Sequence, residues 1–266
     1  MTRAFTQGPV LSCLLLALAL IFSPRLAPAQ QTTVNLGAAA SYAVLAGQSV
    51  TSTGNTVVNG DLGVSPGTSV IGFLTVDGGP GIVNGVIHIN DASAIAAEAA
   101  LLTAYNDAAG RTVGAVTKAG NLGGQTLTPG LYTSATSLEI SSGDLTLDAQ
   151  GNANAVFIFQ MGSTLNTTTG RQVILSGGAN PANIFWQVGS SASLGVTSVF
   201  KGNILALTSI SFATGATLDG SALALNGSVT MDGNLVNRAV PEPSTVALFV
   251  LGFGLFAWRR RVNQVG

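Results

Sequence analysis

The chain is poor in the residues on which most enzymes and nucleic-acid binders rely. Of its 266 residues, one is cysteine and one is histidine. Cys13 lies within an N-terminal apolar run that reads as a removable leader, so the mature chain is expected to have no disulfide and no thiol chemistry. His88 cannot supply the histidine pairs of many zinc sites, and its place just before an alanine-rich segment fits a structural role. Charged residues make up only 8% of the chain and aromatic residues 6%. Between residues 30 and 239, Arg111, Lys118, Arg171, Lys201 and Arg238 stand against ten acidic residues. No basic stripe exists to neutralise phosphates, which argues against a nucleic-acid partner. The sequence has no P-loop, no nucleophile elbow and no Cys/His cluster. Asp144 and Asp148 would share one face of a strand, because i and i+4 point the same way. No Arg or Lys lies near them in sequence, and Asp148 falls in a turn-rich stretch where Asp is common. No catalytic residue, metal or cofactor is expected.

What the chain has is glycine, 34 in all, and a recurring unit. An apolar residue, then Asn, Asp or Lys, then Gly and a second apolar stretch appear around Gly60, Gly85, Gly202, Gly220 and Gly233. Each copy reads as strand, glycine corner, strand. One unit is too small to bury its own apolar face, so the copies must stack as the coils of a solenoid. The corner spacings are unequal, which predicts coils of unequal length and a large insertion between Gly85 and Gly202.

Along the chain, Ser137–Asp148 alternates apolar and polar with the period of a half-buried strand. Ala155-Val-Phe-Ile-Phe159 is continuously apolar and suits a strand buried on both faces, with Asn183–Val188 as its counterpart in a later coil. Asp91–Ala109 lacks Gly and Pro and is rich in alanine. Asn90 or Asp91 can cap it and Gly110 can stop it. The spacing predicts one five-turn helix with Ile95, Leu102 and Tyr105 on its apolar stripe, packed along the flank of the solenoid.

Both ends look like processing signals. Arg3, an apolar run over residues 10–22 and Ala27-Pro28-Ala29 form a secretory signal peptide, so the mature chain is expected to begin near Gln30. At the other end stand Pro241-Glu242-Pro243, a short apolar run over residues 246–258 and Arg259-Arg260-Arg261. That run is at the lower edge for a transmembrane helix, which needs about 17–25 residues. The ordered triplet resembles the PEP-CTERM sorting signal of Gram-negative bacteria. The resemblance implies recognition of Pro241, Glu242 and Pro243 by an exosortase, transient anchoring in the inner membrane by residues 246–258, and delivery to the cell surface or outside the cell. The expected organisation is a signal peptide over 1–29, one domain over 30–239 and a sorting tail over 240–266, with membrane contact only through the tail.

The domain itself is similar to a known family. Val34-Asn-Leu-Gly37, Asn59-Gly-Asp-Leu-Gly-Val-Ser-Pro-Gly67, Leu127-Thr-Pro-Gly-Leu-Tyr132, Phe185-Trp-Gln-Val-Gly189 and Gly202-Asn-Ile-Leu-Ala-Leu207 resemble, in order, segments of the ice-binding-like domain of microbial antifreeze proteins. The resemblance implies a mainly β fold: a discontinuous right-handed β-solenoid, triangular in section, with one long α-helix alongside. It also implies an ice crystal surface as partner, met by a flat face with a loose Thr-[Ala/Gly]-x-[Thr/Asn] pattern. Thr53 and Thr56, and Thr214 and Thr217, fit that pattern; Thr167, Thr169 and Thr197 lie in looser versions. These seven threonines are the candidate ice-binding residues. Threonine suits the task, since its hydroxyl anchors a water and its branched Cβ is stiff in a strand. The other reading is a non-enzymatic structural or adhesive protein of the cell surface or exopolysaccharide matrix.

Overall fold

A computed structural model describes residues 30–239. Twenty-five short strands pair only in parallel, within sheets of nine, eight, five and three strands. The chain visits three faces in rotation. Tyr42–Ala46 lies on the first, here face A, Ser49–Thr53 on face B and Val57–Asn59 on face C. Asp61–Val64 then returns to face A one rung further on. The five- and three-stranded sheets together make face C, joined by a bridge between Gln172 and Val199.

The coils do not stack in chain order. From the coil at residues 42–59 the chain winds outward to Ile87–Ile89 at one end of the stack. Helix α1, Ala92–Gly110, then carries it to Ala115–Thr117 at the other end, and the remaining coils wind back. The last coil slots into the middle: Ala222 pairs with Ile204 on one side and Val44 on the other. Nine rungs about 4.8 Å apart span about 38 Å, and a 19-residue helix covers about 28 Å of it. The predicted discontinuous solenoid with one flanking helix is therefore the observed fold.

Two expectations are corrected. Residues 115–201 are not an insertion but further coils of the same stack. They turn from face C to face A through longer segments, at 149–156 and 177–183, so the glycine-corner pattern is not written there. Of the five corner glycines, Gly60, Gly85, Gly202 and Gly220 lie at the corner between faces C and A, whereas Gly233 lies at the corner between B and C. The first group packs too closely for a side chain: a Cβ on Gly220 would sit 2.0 Å from the carbonyl oxygen of Gly202.

The interior is filled by the inward residues of every strand. Tyr132, Phe159 and Trp186 occupy one register on successive rungs and stack with ring centroids 5.2 and 4.0 Å apart, and Phe200 tilts against Trp186 at 4.9 Å. Each such pair contributes about 0.5–1.5 kcal/mol beyond its buried area. Face A is buried on its outer side as well. Leu45, Leu131, Ile158, Phe185, Leu205 and Leu223 point outward into the helix, which is why Phe157–Met161 and Ile184–Val188 are buried throughout. Helix α1 starts where Asp91 accepts a hydrogen bond from Ala94 N at 2.9 Å. Its buried stripe is Ala94, Ala97, Leu101, Ala104, Tyr105 and Ala108. Ile95 and Leu102, expected on that stripe, are 53% and 51% exposed. Face A already presents large leucine and aromatic side chains, so small alanines are what let the helix approach.

Candidate functional site

Face A is covered by the helix, which leaves faces B and C to meet solvent. They differ in chemistry. The outer column of face C runs Val199, Thr217, Leu235, Val57, Ile82. Beside it Lys201 pairs with Asp219, Asp219 accepts from Asn237 at 2.9 Å, and Asn237 and Asn59 join at 2.6 Å. Against the cost of burial, the hydrogen bonds from Lys201 and Asn237 hold the Asp219 carboxyl below its ordinary value. Face C is thus part apolar and part ionic.

Face B is neither. Its strands alternate buried apolar residues with outward small polar ones, as strand geometry requires. The central outward column, in register across six coils, is Thr51, Thr230, Ser211, Ser193, Asn166 and Glu139. A second column borders the corner with face A. There Ser49 Oγ donates to Ser228 Oγ at 2.8 Å, Ser228 N to Ser209 Oγ at 3.2 Å, and Ser209 N to Ser191 Oγ at 3.3 Å. Ser193 and Ser211 hydroxyls lie 2.9 Å apart across adjacent coils. On the strands of this face, Glu139 and Asp232 are the charged residues. The described ion pairs, His88–Asp91, Arg111–Asp107, Arg171–Asp144 and Lys201–Asp219, all involve the helix or face C. The result, over the four coils of Thr51, Thr230, Ser211 and Ser193, is a wall of hydroxyls repeating about every 4.8 Å across strands and about 6.7 Å along them. Backbone pairing on both sides holds each inner strand rigid.

The candidate threonines scatter around the corner between faces B and C. Thr53 ends a face-B strand and is exposed; Thr169, Thr197 and Thr214 are exposed in the turns beside it. Thr217 opens a face-C strand. Thr56 is fully buried, accepting hydrogen bonds from Ser52 Oγ at 2.7 Å and Asn234 N at 3.1 Å. Thr167 is 7% exposed and accepts from Gly195 N. Thr56 and Thr167 are therefore not surface residues, and the repeated tetrapeptide misled for a definite reason. Thr217 pairs with Leu235, and Leu235 with Val57, so Thr217 corresponds to Val57 and not to Thr56. Asn55 is an extra residue in the first copy and shifts its register by one.

The turn imposes its own demand. Gly54, Gly170, Gly215 and Gly233 all have φ between 61° and 70°, and Thr197, aligned with them, has φ 53°. Hydrogen bonds run through this column from Gly170 N to Val196 O, Thr197 N to Thr214 O, Gly215 N to Asp232 O and Gly233 N to Thr53 O. The glycine of Thr-Gly-x-Thr is there for left-handed backbone, not for a flat face.

Asp144 and Asp148 form no acidic pair. Asp144 accepts from Gln172 N and lies 3.5 Å from Arg171, while Asp148 accepts from Gln150 N at 2.9 Å. His88 Nδ1 lies 2.7 Å from Asp91 at the start of the helix. Among the described residues no cluster of His, Cys, Asp or Glu could hold a metal.

Residues 44–237 match the family model described as ice-binding-like. The chain belongs to that family. Residues 239–261 match the PEP-CTERM protein-sorting motif; Pro241, Glu242 and Pro243 fall there, outside the described residues. The chain is 45% identical over 244 residues to an ice-binding protein of Nostoc sp. (strain HG1), covering 86% of this chain and 88% of that one. It is 38% identical over 216 residues to an ice-binding protein of Flavobacterium frigoris (strain PS1), covering 76% and 75%. The fold is similar to the crystal structure of an ice binding protein from an Antarctic biological consortium, with TM-score 0.78 and 56% identity over 81% of this chain and 95% of that one. A domain of an ice-binding protein of Shewanella frigidimarina gives TM-score 0.72 at 28% identity over 79% and 99%.

Proposed function

We propose that this protein binds ice through face B, inhibits its recrystallisation, and works secreted or displayed at the cell surface. The observation that carries the reading is the register of Thr51, Thr230, Ser211 and Ser193, four small neutral hydroxyl residues in one outward column. Ice offers a regular array of oxygens, and a rigid array of hydroxyls at comparable spacing can hold a water layer that joins it. Because the hydroxyls are already fixed by strand pairing and by bonds to one another, little side-chain entropy remains to be lost on adsorption. Long charged side chains would hold their own water and lift the wall from the crystal. On face B the one such side chain in the central column, Glu139, lies beyond the four hydroxyl-bearing coils.

The organisation that goes with this function is a leader over residues 1–29, the solenoid over 30–239 and a sorting tail over 240–266. An exosortase-type enzyme of a Gram-negative cell recognises Pro241, Glu242 and Pro243 while residues 246–258 hold the precursor at the inner membrane. Among the described residues no helix is long and apolar enough to cross a membrane; residues 246–258 lie outside them. No catalytic activity is proposed. The second reading, a structural protein of the exopolysaccharide matrix, shares the tail and differs in what face B touches. An ice-recrystallisation assay on the mature protein separates them: grain growth is arrested if face B binds ice, and unchanged grain growth at micromolar protein removes the proposal.

A further inference from the structure

The two ends of the stack carry open strand edges, and they differ in chemistry. At the first end the outermost strands on faces A, B and C are Ile87–Ile89, Ser69–Ile71 and Ile82–Val83; at the second they are Ala115–Thr117, Gly120–Asn121 and Thr126–Leu127. Leu62 N donates to Val86 O and Asn90 N to Val64 O, so in a parallel ladder Ile87 and Ile89 turn their backbone groups to the open side. Lys118 N donates to Thr133 O, which leaves Thr117 facing outward from the second end in the same way. Terminal coils of a solenoid commonly carry a polar cap. Here Ile71, Ile82 and Val86 are each more than half exposed at the first end, and Val113 and Val116 are exposed at the second. Charge is divided between the ends. Residues 61–91 hold Asp61, Asp77 and Asp91 and no lysine or arginine, whereas residues 111–127 hold Arg111 and Lys118 and no acid. His88 pairs with Asp91, and Arg111 with Asp107. Asp77 accepts from the backbone N–H groups of Gly72, Leu74 and Gly79. Lys118 donates to the neutral Gln125 at 3.0 Å and lies over the ring of Tyr132, the outermost of the stacked aromatics.

We propose that the two ends are complementary and that a second copy of this chain docks on them head to tail, extending the solenoid along its axis. Every strand pairing in the stack is parallel, and every coil winds toward the first end. A copy whose Ala115–Thr117 edge meets Ile87–Ile89 therefore continues the same ladder, with face A on A, B on B and C on C. The acidic end then meets the basic one, and the exposed apolar residues of both ends leave water together. Two like ends facing each other would instead pair their strands antiparallel, set acid against acid or base against base, and align only one of the three faces. Because the two patches are different, the contact is heterologous and does not close on itself, so further copies can add. One consequence rests on the proposed ice-binding role. Face B of one copy runs on into face B of the next, and linked walls hold a crystal more tightly than separate ones.

Val86→Lys blocks the first end by setting a cation against Lys118, and Val116→Glu blocks the second by setting an acid against the acidic end. Val113→Glu is a second block of that end, used if Val116→Glu disturbs the fold by circular dichroism. Sedimentation velocity on the mature protein, from micromolar to millimolar concentration, reads the association. Wild type is expected to shift from monomer to dimers and longer species, and each variant alone to stay monomeric. An equimolar mixture of the two variants is expected to regain association, because it contains one intact end of each kind. Wild type that stays monomeric throughout would overturn the proposal. So would one variant that associates alone as wild type does, since that marks pairing of like ends, or a mixture that stays monomeric. Recrystallisation inhibition is measured in parallel, and wild type is expected to act at several-fold lower concentration than either variant. Equal potency would remove the extended wall. Absence of ice activity in all three, with the expected sedimentation, would remove the ice-binding role and leave the docking of the ends standing.

Discussion

Thr53 Oγ1 donates to Asp232 Oδ1 across 2.9 Å, and Thr214 donates to the other oxygen of the same carboxylate from the coil on the opposite side. Two of the candidate threonines, both exposed, therefore donate to one internal clasp. Asp232 ties three successive coils together at the border of face B.

The hydrogen bonds from Thr214 and Thr53 hold the Asp232 carboxyl below its ordinary value. A carboxyl lowered in the folded state stabilises that state above its unfolded pKa and ceases to do so as pH falls through the folded one. Asp232→Asn is accordingly expected to lower the melting temperature at neutral pH, with the difference from wild type closing in strongly acid solution. Scanning calorimetry across pH checks this. A deficit that stays constant into acid would mean the clasp does not depend on charge.

Glu98 sits on the helix with Oε1 buried and without a hydrogen-bond partner in the described structure. Burial pushes its carboxyl up to about 8. The sign here is the reverse of Asp232: protonated Glu98 is tolerated, and stability is lost as pH rises from the ordinary glutamate range through 8. Glu98→Gln should melt at a higher temperature than wild type at pH 9 and close to wild type at pH 4. Thermal denaturation at the two values decides it, and an equal effect at both would show that the carboxylate is satisfied.

Thr197 stands in left-handed backbone where the aligned coils carry glycine. A β-branched residue there is strained by roughly 1 kcal/mol. Thr197→Gly is expected to raise stability by part of that amount, reduced by the greater freedom of glycine in the unfolded chain. Chemical denaturation measures it; a clear loss of stability would show that the Thr197 side chain holds the turn.

The stacked architecture was legible in the sequence because the glycine corners report a steric fact, the close approach of Gly220 to Gly202. The helix was legible from Asp91 and the alanine run, but its buried side was not. Which stripe is buried depends on the bulk of Leu45 and Phe185 across the interface, and no local pattern carries that. The Thr-Gly-x-Thr repeat reports a turn at the corner of faces B and C, and it could not show that Thr56 is buried there. On four coils the wall is written as a polar residue between two buried ones: Val50-Thr51-Ser52, Val229-Thr230-Met231, Ile210-Ser211-Phe212 and Ala192-Ser193-Leu194. Those triads show only that a strand has an outer side. That their middle residues fall into one column depends on the last coil slotting between the eighth and the first passage of the chain along face A, which pairs Thr51 with Thr230.

The most direct test sets the two open faces against each other. Ser211→Tyr places a ring at the centre of face B, and Thr217→Tyr places the same ring on face C. The measurement is the lowest protein concentration that arrests ice recrystallisation. Ser211→Tyr is predicted to raise it roughly tenfold or more, about 1.4 kcal/mol of lost adsorption, while Thr217→Tyr leaves it unchanged. Full activity in Ser211→Tyr together with loss in Thr217→Tyr would contradict the account and move the ice-binding surface to face C.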